Sequence, residues 1–146
     1  MKIVIAADHA GYALKTIVVD HLKSIGVDVI DLGTNDSSTS VDYPDYAKKV
    51  AREIMGHTDM LGILICGTGV GMSITANKFR GIRAASVSDT FSARMSRMHN
   101  DSNILCFGGR VVGGGLAIDI VDAWLNAEFE GGRHANRLKK IKEGEE

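Results

Sequence analysis

Five short apolar-rich runs punctuate the chain, at Ile3 to Ala7, Val27 to Leu32, Leu61 to Cys66, Ile82 to Val87 and Ile104 to Phe107. Such runs are the signature of strands covered on both faces, since a half-exposed strand would alternate apolar with polar positions. Between them, apolar residues recur at helical spacing: Leu14, Ile17, Val18 and Leu22; Val50 and Ile54; Phe91, Met95 and Met98; Ala117, Ile120, Val121 and Trp124. Helix-start markers fall at Pro44 after Asp42, at Ser88 and Asp89, and at the glycines before Val70 and Leu116. Regular alternation of strand and helix predicts an α/β fold, a three-layer Rossmann-like sandwich whose five-stranded parallel sheet carries helices on both faces. The polar stretch Thr34 to Ser40 reads as a loop.

Right-handed crossovers put every strand-to-helix loop of such a sheet along one edge, where ligands bind in open α/β folds. Four polar loops are predicted there: Ala7 to Gly11, Cys66 to Gly71, Ser88-Asp89 and Gly108-Gly109-Arg110.

With 146 residues, 45% of them apolar, and no repeat or linker, the chain suits a single domain over 1–146. A formal net charge of −1 gives no sign of a nucleic-acid or membrane partner, and the first apolar run is too short for a signal peptide or a span, so a cytoplasmic protein is expected. Gly is in surplus at 17 residues, about 12% against a usual 7% or so. That surplus asks for local explanations.

One is the loop after the third strand. Gly67, Gly69 and Gly71 alternate at a strand-to-helix junction, where backbone amides can cradle an anion at the positive end of the helix dipole. Met72 stands where a GxGxxG dinucleotide fingerprint needs glycine, and it also defeats a P-loop. Cys66, the last residue of its strand, faces that helix start, a place where a thiolate is stabilised as base or nucleophile. Cys106, inside Ile104 to Phe107, reads as a small buried hydrophobe.

Near the end of the chain, Arg133, His134 and Arg137 follow Gly131-Gly132 on one helix face, an arrangement suited to a phosphate or carboxylate or, equally, to a solvated basic helix. The histidines at 9, 21, 57, 99 and 134 show no HxH, HxxxH or HExxH spacing, so neither metal nor cofactor is expected. His21 and His57 read as ordinary surface residues.

These residues together resemble the type B ribose-5-phosphate isomerases and their galactose- and allose-6-phosphate isomerase relatives. The resemblance is carried by Ile5 to Gly11, Asp42-Tyr43-Pro44, Ile65 to Gly71, Ala76-Asn77-Lys78, Arg97 to Asp101, Gly109-Arg110 and Glu130 to His134. It implies metal-independent aldose–ketose isomerisation, D-ribose 5-phosphate to D-ribulose 5-phosphate in the pentose phosphate pathway, through a cis-enediolate. Cys66 is then the base, the stretch Gly67, Gly69, Val70 and Gly71 stabilises the oxyanion, and Thr68 passes a proton between the substrate oxygens. His99 is implied as the ring-opening acid, with Asp8, His9 and Asn100 on hydroxyls. Arg110, Arg133 and Arg137 are implied to hold the phosphate, with His9 or His134 as a further contact, and Tyr43 to line the site. Relatives without the cysteine carry an acidic residue further along this loop; Val70 to Thr75 has none.

A helix starting at the ligand edge after Asp89 carries His99 about 15 Å away from it, at ~1.5 Å per residue. His99 and Asn100 are therefore expected to complete the site of a partner subunit, in a homodimer or tetramer. A six-carbon sugar phosphate is the alternative substrate, and a non-catalytic module binding a phosphorylated metabolite is the more distant alternative.

Overall fold

The computed structural model describes residues 1–145. The chain runs β1 (Lys2–Ala7), α1 (Tyr12–Ser24), β2 (Asp28–Asp31), α2 (Tyr43–Ile54), β3 (Met60–Cys66) and α3 (Val70–Ala76). It continues through β4 (Ala84–Ser86), α4 (Thr90–Asn100), β5 (Ile104–Gly108), α5 (Gly114–Leu125) and α6 (Arg133–Glu143). All five strands are parallel in the order β2-β1-β3-β5-β4. The expected α/β sandwich is thus the observed one.

Each central strand is buried on both sides, and its two faces feed different cores. Ile3, Ile5, Ile63, Ile65, Leu105 and Phe107 meet Val18 and Leu22 of α1 and Ile120, Val121 and Trp124 of α5. Val4, Leu64, Ile104 and Cys106 meet Val50 and Ile54 of α2 and Met72 of α3. At roughly 1.5–3 kcal/mol per fully buried large apolar side chain, these two layers supply the main drive to fold. Among the described residues no helix is long and apolar enough to cross a membrane.

The fourth run shortens to a three-residue edge strand. Its outer edge is closed by Asn77, whose side-chain amide both accepts from the Ala84 N–H (2.8 Å) and donates to the Ala84 carbonyl (3.0 Å). A side chain thereby satisfies backbone groups that an open edge would offer to another strand.

Ala7 pairs with Ile65, and Cys66 with Gly108, so β1, β3 and β5 end on one line. Behind it, Lys15 is buried on α1, its Nζ donating to Asp31 Oδ1 and to the Thr34 carbonyl, both at 2.7 Å. Asp31 also accepts from the Gly33 amide (2.9 Å), so one cation ties α1 to the end of β2 and to the loop beyond it. His21, expected as an ordinary surface side chain, instead bonds Asp122 Oδ1 at 2.7 Å and joins α1 to α5. Helical spacing put it on the margin of the buried face, where only the fold supplies the acid.

Lys15→Met keeps the buried stem and removes both hydrogen bonds. Asp31, 40% exposed, can rehydrate, so a loss of about 2 kcal/mol is expected, the scale of hydrogen bonds to a charged group. Urea denaturation of the two proteins measures it.

Candidate active site

Three loops meet at the carboxyl edge. The Gly109 amide donates to the Cys66 carbonyl (2.8 Å) and the Arg110 amide to the Gly67 carbonyl (3.1 Å), clipping the loop after β5 onto the loop after β3. The glycines are required by this packing. A Cβ on Gly108 would sit 2.5 Å from Thr68 Cα, one on Gly109 2.6 Å from the Ala10 carbonyl oxygen, and one on Gly11 would collide with the Ile65 carbonyl. Gly69 is doubly constrained, with φ +86° and a would-be Cβ 2.7 Å from Phe107 Cα. Gly113 and Gly115, by contrast, face open space.

Within this junction Cys66 is 5% exposed, and its Sγ accepts a hydrogen bond from the Gly69 amide at 3.1 Å. Thr68 Oγ1 accepts from the Val70 amide (3.3 Å), which leaves its own hydroxyl proton free to donate. The cradle is therefore narrower than the glycine pattern suggested: two of its amides are engaged within the loop, while those of Thr68 and Gly71 bond no other described residue. Burial, with the neighbouring Cys66 adding to it, pushes the Cys106 thiol far up.

The other carboxyl-edge residues surround this loop. Asp8 is buried, and its Oδ1 accepts from the Gly11 amide at 3.0 Å. His9 Nδ1 accepts from the Val41 amide (3.1 Å), which puts the proton of the neutral ring on Nε2. Arg110 lays its guanidinium against Gly67, and the Tyr43 ring occupies the space where Gly71 would carry a Cβ.

A second group forms at the opposite edge. The His99 and His134 rings stack with centroids 4.3 Å apart and 12° between planes, and His99 Nε2 lies 3.4 Å from Glu130 Oε1. The Glu130 amide donates to the Met98 carbonyl (3.0 Å), and Gly131 and Gly132 turn the chain at positive φ (+69° and +57°) into α6. Burial holds the pKa of His134 below the ordinary histidine value, helped by His99 and the Arg133 and Arg137 cations and opposed by Glu130.

That group is anchored at the amino ends of the strands. Asp101, in the left-handed conformation at the end of α4 (φ +45°), bonds Arg97 (3.0 Å) and Arg83 (3.3 Å), and Arg83 immediately precedes β4. The length of β5 separates it from Cys66. Arg133 and Arg137 lie on α6 near His134, at the far end of the sheet from Arg110. His134 is buried, its ring stacked on that of His99. The contacts of Glu130 with His99 and of Arg83 with Asp101 escaped the sequence reading because the partners are distant in the chain, whereas the Arg97–Asp101 pair, at i,i+4 spacing, was open to it.

The Ribose/Galactose Isomerase family matches residues 3–141. The chain belongs to this family. It is 56% identical over 140 residues to ribose-5-phosphate isomerase B of Escherichia coli, covering 96% of this chain and 93% of that one. Among solved structures, ribose-5-phosphate isomerase B of Clostridium thermocellum superposes with a TM-score of 0.94 at 58% identity, covering 98% of this chain and 96% of that one. The Mycoplasma genitalium enzyme, with ribulose 5-phosphate bound, gives 0.94 at 46% identity, covering 97% and 94%.

For this isomerase-family chain, Gly69→Ala is expected to lose about 1–3 kcal/mol, the cost of a non-glycine residue held in a disfavoured backbone region. Gly113→Ala, in open space at negative φ, is expected to change stability by less than about 0.5 kcal/mol. Thermal unfolding of the pair checks both.

Proposed function

We propose that this chain is a ribose-5-phosphate isomerase, and that two copies are needed to complete one active site. The observation that carries the reading is the Cys66 sulfur, held under the Gly69 amide at the carboxyl edge with His9, Asp8, Tyr43 and Arg110 around it. Isomerisation needs a base that moves one proton between adjacent carbons and a fixed environment for the enediolate oxygen.

The Cys66 thiolate takes the C2 proton of the open-chain aldose, and the released electron pair forms the C1–C2 double bond as the carbonyl π electrons move onto O1. The Thr68 and Gly71 amides face the developing oxyanion, and the Thr68 hydroxyl passes a proton from O2 to O1. Cys66 then returns its proton to C1, O2 becomes the carbonyl, and the thiolate is restored. No oxidant or reductant is consumed.

A cyclic sugar first needs an acid at its ring oxygen. In this reading His99, with Asn100, comes from a second copy, because the same copy holds both at the far edge of the sheet. Arg133 and Arg137 of that second copy join Arg110 and His9 of the first around the phosphate, so the three guanidinium groups converge only across two chains. Exposed Val70 and Ile74 on α3 and Phe91 on α4 supply apolar surface for such pairing.

Steady-state turnover in EDTA, with ribose 5-phosphate beside allose and galactose 6-phosphates, tests the assignment. The five-carbon sugar is expected to be preferred, and Cys66→Ala to lower turnover by roughly 10²–10⁴-fold, the usual weight of a positioned proton-transfer group. Full turnover in Cys66→Ala, or preference for a six-carbon sugar, contradicts it.

A further inference from the structure

The cluster at the amino edge has the donor set of a transition-metal site. His99, Glu130 and His134 each offer one ligating atom, and these atoms all lie within 4.8 Å of one another. We propose that His99, Glu130 and His134 bind a divalent ion of the zinc class, and that the bound ion stops turnover by occupying His99. The second half rests on the role given to His99 above, whereas the first stands on the geometry of the cluster.

Two imidazoles and a carboxylate form one of the recurrent three-ligand zinc sets, which leaves a fourth position open. Ligands about 2.0–2.1 Å from a tetrahedral ion stand roughly 3.4 Å apart, and His99 Nε2 to Glu130 Oε1 is 3.4 Å. The two rings, stacked 12° from parallel, must turn out of the stack for both in-plane nitrogen lone pairs to meet one ion, a side-chain rearrangement that the binding has to drive. The backbone is already assembled for it: Glu130 is tied to Met98, the His134 amide donates to the Gly131 carbonyl at 3.0 Å, and the two glycines fix the turn between them. Little backbone ordering remains to be done when an ion binds.

An entry path exists as well, since the His99 and Glu130 side chains are 37% and 46% exposed while His134 forms the buried floor. Paired imidazoles select zinc, cobalt or nickel over magnesium and calcium, which prefer all-oxygen shells. Arg133 and Arg137 repel a cation and temper its affinity, but they favour an anion in the open position. The ion is thus a reversible inhibitor of this isomerase, distinct from a cofactor for it.

The test uses the full chain stripped with EDTA and dialysed, titrated with zinc chloride by calorimetry and with cobalt chloride by visible absorption. One ion per chain and the bands of tetrahedral cobalt are expected. Glu130→Gln, at an exposed position, should weaken zinc binding about tenfold or more, and His134→Asn likewise. Equal affinity in the wild type and both variants, or thiolate-to-cobalt charge-transfer bands placing the ion on Cys66, overturns the site. In the turnover arm, zinc should inhibit the wild type, EDTA should reverse the inhibition, and Glu130→Gln should need about tenfold more zinc. Inhibition unchanged in Glu130→Gln overturns the proposal. Binding that passes the first arm while turnover continues overturns the inhibitory half, and with it the role of His99, and leaves the metal site standing.

Discussion

Backbone passes against backbone, with no room for a Cβ, where β1, β3 and β5 end. The loops that follow these strands are held by the Gly109-to-Cys66 and Arg110-to-Gly67 hydrogen bonds, and Gly11, Gly69, Gly108 and Gly109 are the residues that let them close. Everything at the carboxyl edge follows from that approach. It turns Gly69 so that its amide meets the Cys66 sulfur, and it sets Arg110 over Gly67 and Tyr43 over Gly71. The parallel sheet beneath, buried on both faces, gives the loops a rigid base, and the glycines convert that rigidity into placement of the Cys66 sulfur.

The amino edge is organised by different means. There the chain uses charged side chains and left-handed turns: Asp101 between Arg83 and Arg97 ends α4, and Gly131-Gly132 swings α6 back so that His134 stacks on His99. Ser102 ties this end to the core, accepting from the Trp124 indole N–H at 2.9 Å. Two well-built polar groups at opposite ends of a sheet are hard to reconcile with one small substrate on one chain. Under the proposed reading a second copy reconciles them, by bringing an amino-edge group to each carboxyl-edge group.

The layer order and the parallel sheet were legible because buried parallel strands leave apolar runs and amphipathic helices leave a period of 3.6 residues. That α4 ends at the amino edge of the sheet also followed from helix direction and topology. Other features left no local trace. The glycine loop read as an open anion cradle, yet Gly69 also packs against the Phe107 backbone and Gly71 against the Tyr43 ring, contacts that only the neighbouring elements reveal. Lys15 had no reading in the sequence, because the end of β2 and Thr34 surround it only in the fold. Glu130 gave no sign of meeting His99, since the contact spans thirty-one positions of sequence and depends on a two-glycine turn.

Subunit complementation tests the shared site most directly. Cys66→Ala and His99→Asn chains, each purified and inactive alone, are unfolded together in equal amounts and refolded, so that half of any dimers are mixed. If each site takes Cys66 from one chain and His99 from the other, a mixed dimer regains one intact site, and turnover returns to about a quarter of wild type. A mixture that refolds and associates yet stays inactive contradicts the account.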